Sequence, residues 1–255
     1  MAIYQNFSQC YDIFMAHTPY DQWVAFIEAL FTKNNKQPSL VLELACGTGS
    51  VTQRLAQKGY NMIGLDNSAE MLSVASNKNR VAGSNVLYVC QDMRRFELYG
   101  TVDCVLCLCD GLNYILDKRD LLKIFKLVKN YLNPGGLFIF DLNTEYKYEH
   151  VLGGNTFAED EEGAAYIWQN YYDKKRRLNE YAVTFFVETT ETLYCKFEET
   201  HSQRAYSSEN IYLAAQVAGL SVQGMYDMDK PFHKNKPVFK RPRKTTERIC
   251  FVLEG

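Results

Sequence analysis

Seven short apolar runs, helical spacing between most of them, and a switch to aromatic and β-branched runs after Asn143 together predict an α/β fold. The expected architecture is a doubly wound, mostly parallel seven-stranded sheet with N-terminal cover helices and an inserted antiparallel β-meander. At 255 residues with 47% apolar content, the chain is at the upper end of what one hydrophobic core organises. The expected partition is therefore one α/β domain, residues 1–145 and 207–255, carrying an insert over residues 146–206.

The first forty residues read as helical, with Tyr11, Phe14 and Met15, then Trp23, Phe26, Ile27 and Leu30, at helical spacing before "NNKQPS" breaks the pattern. They form a cover. "SLVLELA", a helix from Ser50 to Lys58, "NMIGLD", a helix from Ser68 to Asn79 and "NVLYVCQD" then read as βαβαβ. The pattern continues with "VDCVLCLCD", a helix from Lys118 to Leu132 stopped by "NPGG", and "LFIFDLN". Strands this continuously apolar belong to a sheet covered on both faces. From Ala164 to Tyr206, strand-like runs are separated by charged turns at "DKKRR" and "ETTE", the mark of an antiparallel meander. A last helix from Ser207 to Ala218 ends at Gly219, and "SVQGMYD" and "RICFVLEG" supply the final strands.

Composition narrows the partner classes. A formal net charge of −2 gives no overall field for holding nucleic acid or a membrane surface, so a small or neutral partner is favoured. No apolar run approaches bilayer length, and "MAIYQNFSQC" lacks the basic start and apolar stretch of a signal peptide, so a cytoplasmic protein is expected. Eight cysteines in a chain of this length, several inside strand-like runs, read as free thiols. Cys104, Cys107 and Cys109 fall close together, but a strand sends alternate side chains to opposite faces and no further His or Cys group completes a tetrahedral set. No metal is expected. Cys90, Cys104 and Cys107 should be shielded in strands, and Cys46 should lie within reach of whatever the adjoining loop holds.

That loop, in "VLELACGTGS" at residues 41–50, poses the functional question. A strand followed by a glycine loop and a helix start cradles a nucleotide-bearing cofactor, because glycine admits the ligand close to the backbone and the helix offers unpaired N–H groups. The dinucleotide fingerprint needs a third glycine where Thr52 stands, which weighs against a nicotinamide oxidoreductase. A phosphate loop needs a Gly-Lys-Ser/Thr run that is missing. What remains is Glu43-x-x-x-Gly47-x-Gly49, then Asp66 at the end of the second strand, where a carboxylate can accept both hydroxyls of an adenosine ribose. After the next strand, Asp92 can accept from an exocyclic amine while the Met93 backbone faces a purine edge.

Taken in order, "LELACGTGS", "GLDNSAEML", "CQDMRRF", "CDGLNYI", "LNPGGLFIFDLN" and "YSSENIYLAAQVAGL" resemble the class I S-adenosylmethionine-dependent methyltransferases, in the small-molecule branch with an inserted β-subdomain. The resemblance covers nearly the whole chain. It implies a Rossmann-like sheet, S-adenosylmethionine as cofactor, and in-line methyl transfer to a small-molecule amine or hydroxyl. Carried over position by position, it implies that Gly47 and Gly49 line the methionine end and Asp66 binds the ribose, with Glu43 and Ala45 in the same cofactor-binding motif. It also implies that Asn67 and Met71 flank the adenine, Asp92 and Met93 read its amino edge, and Cys109 and Asp110 border the transferred methyl. Two of these positions have a second reading: Met71 stands at core spacing, and Glu43 can be satisfied by local backbone donors.

For a neutral amine acceptor, positioning and exclusion of water supply most of the rate. Tyr11, Asp110 and Asn113 are the candidates for positioning the reacting groups, and Tyr20, His201, Arg204 and Tyr206 for holding the substrate. Each has a structural alternative: cover-helix packing for the two N-terminal tyrosines, turn capping for Asp110 and Asn113, and a satisfied sheet edge for the rest. The fourth-strand motif lacks a Pro-Pro-aromatic run and no Pro-Cys pair occurs, so a nucleic-acid substrate is not expected. The insert resembles those of methyltransferases acting on amino groups of sugars or amino acids. The basic stretch from Lys230 to Arg248 is either a solvated loop or a phosphate-binding segment. A competing class, a non-catalytic adenosylmethionine-binding regulator, would require a blocked acceptor cavity.

Overall fold

The computed structural model describes residue 8, residues 10–190 and residues 193–255. Its elements begin with α1 (Tyr11–Phe14), α2 (Tyr20–Lys33), β1 (Leu40–Leu44), α3 (Ser50–Gln57), β2 (Asn61–Asp66), α4 (Ala69–Ala82) and β3 (Leu87–Cys90). They continue with β4 (Val102–Cys107), α5 (Lys118–Tyr131), β5 (Leu132–Asn143), β6 (Thr156–Glu161), β7 (Ala164–Asp173), β8 (Leu178–Thr190) and β9 (Leu193–Arg204). The chain closes with α6 (Ser208–Ala218), β10 (Ser221–Asp227), the two-residue strands β11 (Phe232–His233) and β12 (Lys236–Pro237), and β13 (Arg248–Glu254).

The larger sheet has seven strands in the order β10-β13-β5-β4-β1-β2-β3. Its five central and right-hand strands pair in parallel, while β13 is antiparallel to both β5 and β10. From β1 the chain winds outward through β2 to β3, then returns to β4 on the other side of β1. The loops after β1 and β4 therefore part in opposite directions, and a crevice opens at their carboxyl ends, the position where open α/β sheets bind ligands.

Alternation along the central strands builds a core on each face. Leu42, Leu44, Val105, Cys107, Phe138 and Phe140 face Leu121, Ile124, Phe125 and Val128 of α5, and Ile211 of α6. Val41, Leu106, Ile139 and Val252 face Val24, Phe26, Ile27 and Leu30 of α2, and Val51 and Leu55 of α3. Full burial of each such side chain contributes about 1.5–3 kcal/mol, so α2 is fixed by its apolar face and not by propensity alone. Local signals set the helix ends: the Ser68, Asp117 and Ser207 side chains accept from backbone N–H groups at the starts of α4, α5 and α6, and Gly83 and Gly219 take the left-handed cap conformation. Cys90 departs from the expected burial and is exposed, because β3 is the edge strand of the sheet.

A second, antiparallel sheet in the order β6-β7-β8-β9 stands over the crevice. The buried Asn113, in the one-turn 3-10 helix Gly111–Tyr114, fixes it there. Its amide donates to the carbonyls of Asn143 at 3.2 Å and Arg204 at 2.8 Å, while its carbonyl accepts from the Asn143 N–H at 3.0 Å. One side chain thus joins the end of β4 to β5 and β9. The cover is held differently, since α1 buries none of its own residues. Asp12 accepts from Thr48 at 2.7 Å and pairs with Lys78 at 2.6 Å, and Phe14 meets the Tyr166 ring edge-on at 4.9 Å.

Candidate active site

The loop after β1 turns on Ala45, Gly47 and Gly49, with φ of 53°, 54° and 74°. A Cβ at Gly47 would meet nothing within 4 Å, so a ligand can approach the backbone there, whereas a Cβ at Gly49 would fall 2.3 Å from the Tyr88 hydroxyl. Asp66, buried at the end of β2, accepts from the Gly47 N–H at 2.8 Å and the Ser68 N–H at 2.9 Å, one per carboxylate oxygen. Each oxygen keeps a lone pair for a further hydroxyl. Burial pushes the Asp66 carboxyl above its ordinary value, while the backbone donors oppose the rise. Beside it is a cavity of about 670 Å³, lined by Ala45, Gly47, Asn67, Met71 and Met93 among others. Asp92 lines it too, with both its oxygens held by Arg94, whose hydrogen bonds keep the Asp92 carboxyl below its ordinary range.

A second cavity, of about 630 Å³, lies between the crevice and the second sheet. Its wall is aromatic, with Phe14, Trp23, Tyr166, Trp168 and Tyr181. Its floor is polar. Arg248 donates to Asp110 at 2.7 Å and to Asp141, and its guanidinium lies over the Trp23 ring at 5.2 Å. Gln203 donates to the other oxygen of Asp110 at 2.6 Å, and Lys147 donates to Asn143 at 3.0 Å. Burial disfavours the Arg248 cation, but Asp141 and Asp110 outweigh it and raise its pKa. Burial raises Asp141 and lowers Lys147. Arg248 and Lys147 thus stand close to Asp110 on this floor, with Asp141 buried behind it.

Strand β9 divides the cavities, and its alternation assigns each residue a side: Thr200 and Ser202 line the cavity beside Asp66, His201 and Gln203 the other. Tyr11, Cys109 and Tyr114 line both. Cys109 and Asp110 have φ of 56° and 54°, conformations that cost energy in residues with a side chain and concentrate at functional sites.

A family model described as "Methyltransferase domain" matches residues 41–136, from β1 into β5. The chain is 40% identical over 209 residues to "Putative methyltransferase YqeM" of Bacillus subtilis (strain 168), across 81% of this chain and 82% of that one. The chain belongs to the methyltransferases. Its fold matches the crystal structure of an S-adenosylmethionine-dependent methyltransferase from Clostridium acetobutylicum with a TM-score of 0.86, at 36% identity over 98% of each chain. It also shares its fold with CalS10, an amino pentose methyltransferase from Micromonospora echinaspora solved with S-adenosylmethionine bound, at a TM-score of 0.72 and 18% identity, covering 100% of this chain and 98% of that one.

In this methyltransferase, the acid beside an open glycine approach and the apolar Met71 and Met93 fit an adenosyl cofactor in the first cavity. Of the residues singled out from sequence, Ala45, Gly47, Asp66, Asn67, Met71, Asp92, Met93 and Cys109 line it, and Tyr11, Asp110 and His201 line the second. The others lie elsewhere. Glu43 is buried behind the loop on the Thr52 hydroxyl, and burial pushes its carboxyl up to about 8. Gly49 also supports the loop from behind, against Tyr88. Tyr20 packs under Arg54, 5.1 Å from the ring centre, and Asn113 spends its amide on the backbone. Arg204 donates to the carbonyls of Leu116 and Arg176, and Tyr206 to that of Ile115, so both fasten the end of the second sheet and line neither cavity. Cys46 is likewise buried and outside both linings, with its sulfur packed toward Gly64.

Among the polar residues missed from sequence are Tyr114, Lys147, Gln203 and Arg248 of the methyltransferase's second cavity, and Asp141, buried behind it on Arg248. Asp141 had a readable signal, an acid inside the apolar run "LFIFDLN". Arg248 was hidden in a basic stretch that is otherwise peripheral, where Phe239 packs on Phe26 at 5.3 Å and Arg243 pairs with Asp227.

Proposed function

We propose that the enzyme transfers the methyl group of S-adenosylmethionine to a small-molecule acceptor, an amine in preference to a hydroxyl, held in the aromatic cavity under the second sheet. The observation that carries this reading is that Tyr11, Cys109 and Tyr114 line both cavities and so frame an opening between them. Bound beside Asp66, the cofactor supplies an electrophilic methyl on a sulfonium sulfur. Asp66 holds the ribose hydroxyls, Asn67 and Met71 flank the adenine, and Asp92 and Met93 face its amino edge. Burial raises the Cys109 thiol well above its ordinary value, so it walls the opening as a neutral thiol and not as a competing nucleophile. Tyr11 and Asp110 orient the acceptor, and exclusion of water by the aromatic wall supplies much of the rate.

The aromatic wall and mixed floor charges favour a ring-sized neutral or cationic molecule over a polyanion. The fold shared with an amino pentose methyltransferase supports an amine. Residues 146–206 act as the unit that selects the acceptor, since they supply Tyr166, Trp168, Tyr181, His201 and Gln203 to its cavity. The size of that cavity weighs against a non-catalytic regulator, and the net charge of −2 against a nucleic-acid acceptor. No described helix is long and apolar enough to cross a membrane, in keeping with a cytoplasmic enzyme. The test is a screen with methyl-tritiated S-adenosylmethionine over amino sugars, amino acids, simple amines and small acids. Label should pass to an amine. Transfer confined to carboxylates, or none to any class from a protein that binds the cofactor, would count against the reading.

A further inference from the structure

We infer that Tyr114, His201 and Glu199 form a chain that accepts the acceptor's proton at the opening between the two cavities, an inference that rests on the methyl-transfer reading above. Tyr114 ends the 3-10 helix Gly111–Tyr114 and lines both cavities. Its hydroxyl is 2.7 Å from that of Tyr181 and 3.5 Å from Nδ1 of His201. Nε2 of His201 is 3.2 Å from a Glu199 oxygen. The imidazole is buried, and it stacks on Tyr181, its cross-strand partner, at 5.0 Å and 16°. Glu199, two residues back on the same face of β9, keeps 10% of its side chain exposed. A path thus runs from the reaction point through a buried imidazole to the edge of the solvent.

Groups facing His201 include Tyr114 from the 3-10 helix, Tyr181 from β8 and Glu199 on its own strand. Others act at one remove, Asp110 and Tyr148 on Tyr181 and Cys10 near Glu199. Burial pushes the Cys10 thiol up to about 12, so it stays protonated and does not compete as a proton sink.

An acceptor amine that enters as an ammonium has no lone pair with which to attack. Its proton passes to the Tyr114 oxygen as the tyrosine's own proton passes to Nδ1 of His201, leaving an imidazolium beside Glu199. The nitrogen lone pair then forms the N–C bond as the C–S bond breaks and its electrons stay on sulfur. The imidazolium afterwards returns its proton to water past Glu199. The 3.5 Å contact must shorten by a few tenths of an ångström, as catalytic hydrogen bonds commonly do when ligands bind. Tyr114 touches the acceptor, whereas His201 and Glu199 are positioning residues that act through it.

Sinefungin tests the chain without an acceptor, because it carries an amine where the cofactor carries its methyl and so places an N–H donor at the opening. The chain has four histidines, and in histidine-labelled protein the His201 nitrogen signals are assigned by their loss in His201→Gln. Its NMR titration is followed in the S-adenosylhomocysteine and sinefungin complexes. The midpoint should be lower in the sinefungin complex by about half a pH unit, roughly threefold in the protonation constant. Tyr114→Phe should cut that difference to less than a third. Equal wild-type midpoints, or a difference unchanged by Tyr114→Phe, overturn the chain. If Tyr114→Phe does not fold, the comparison is repeated with 3-fluorotyrosine in place of tyrosine, whose stronger hydroxyl donor should enlarge the difference; an unchanged difference overturns the chain. Failure of both ligands to bind by calorimetry would instead overturn the cofactor reading beneath it.

Discussion

Arg248 and Asp110 stand 138 positions apart in sequence and 2.7 Å apart at the floor of the acceptor cavity. The same guanidinium holds the buried Asp141, so one cation from the last strand neutralises acids from the ends of β4 and β5. Removing one partner of a buried pair leaves an uncompensated charge, which costs about 3–5 kcal/mol. Arg248→Met should therefore lower unfolding stability by about that amount in urea titrations, with S-adenosylhomocysteine affinity within about twofold of wild type, since Arg248 does not line the cofactor cavity. A loss under about 1 kcal/mol would mean that Lys147 already compensates these acids.

Glu43 gives a pH dependence with a defined sign. Its folded pKa is raised by burial from 4.5 to about 8. The contribution of a group raised in this way is fully present below the unfolded pKa and is lost as pH rises through the folded value. Between pH 5 and pH 9 the wild type should lose on the order of 3 kcal/mol through this residue. Glu43→Gln, which can still accept from Thr52, should show a flatter profile in urea midpoints at pH 5, 7 and 9. Parallel profiles would place the titration elsewhere.

Thiol labelling should invert the order expected from sequence. Cys46 is buried and its thiol is pushed well above the ordinary value by burial, while Cys90 is exposed on the edge strand beside Asn67, Gln91 and Asp92, which also line the cavity next to Asp66. Iodoacetamide should mark Cys90 quickly and Cys46 slowly, and saturating S-adenosylhomocysteine should slow Cys90 and leave Cys46 unchanged. Peptide-resolved mass spectrometry reads both. Rapid labelling of Cys46 that the ligand blocks would restore the sequence expectation.

The strand, loop and helix units beside Asp66 were legible because their signals are local. "LELACGTGS" and "GLDNSAEML" each place their residues within one strand, turn and helix start, and β1, β2, α3 and α4 form as that spacing demands. The acceptor half was legible only in outline. His201 and Arg204 belong to the same short motif, yet alternation along β9 sends His201 into the cavity and turns Arg204 toward the carbonyls of Leu116 and Arg176. Arg248, Asp141 and Gln203 meet only through pairings across strands distant in sequence, and the strained backbone at Cys109 and Asp110 carries no glycine to announce it.

The central claim is that the cavity beside Asp66 holds S-adenosylmethionine through that carboxylate. Titration calorimetry on the wild type and on Asp66→Ala tests it most directly, with circular dichroism and melting curves to confirm that the variant is folded. Two charge-assisted hydrogen bonds to the ribose are lost in the variant, each worth about 1.5–3 kcal/mol. The account predicts one site in the wild type and at least a hundredfold weaker binding in Asp66→Ala. No binding to the wild type, or binding to a folded Asp66→Ala within about threefold of wild type, a difference of only about 0.7 kcal/mol, would contradict it.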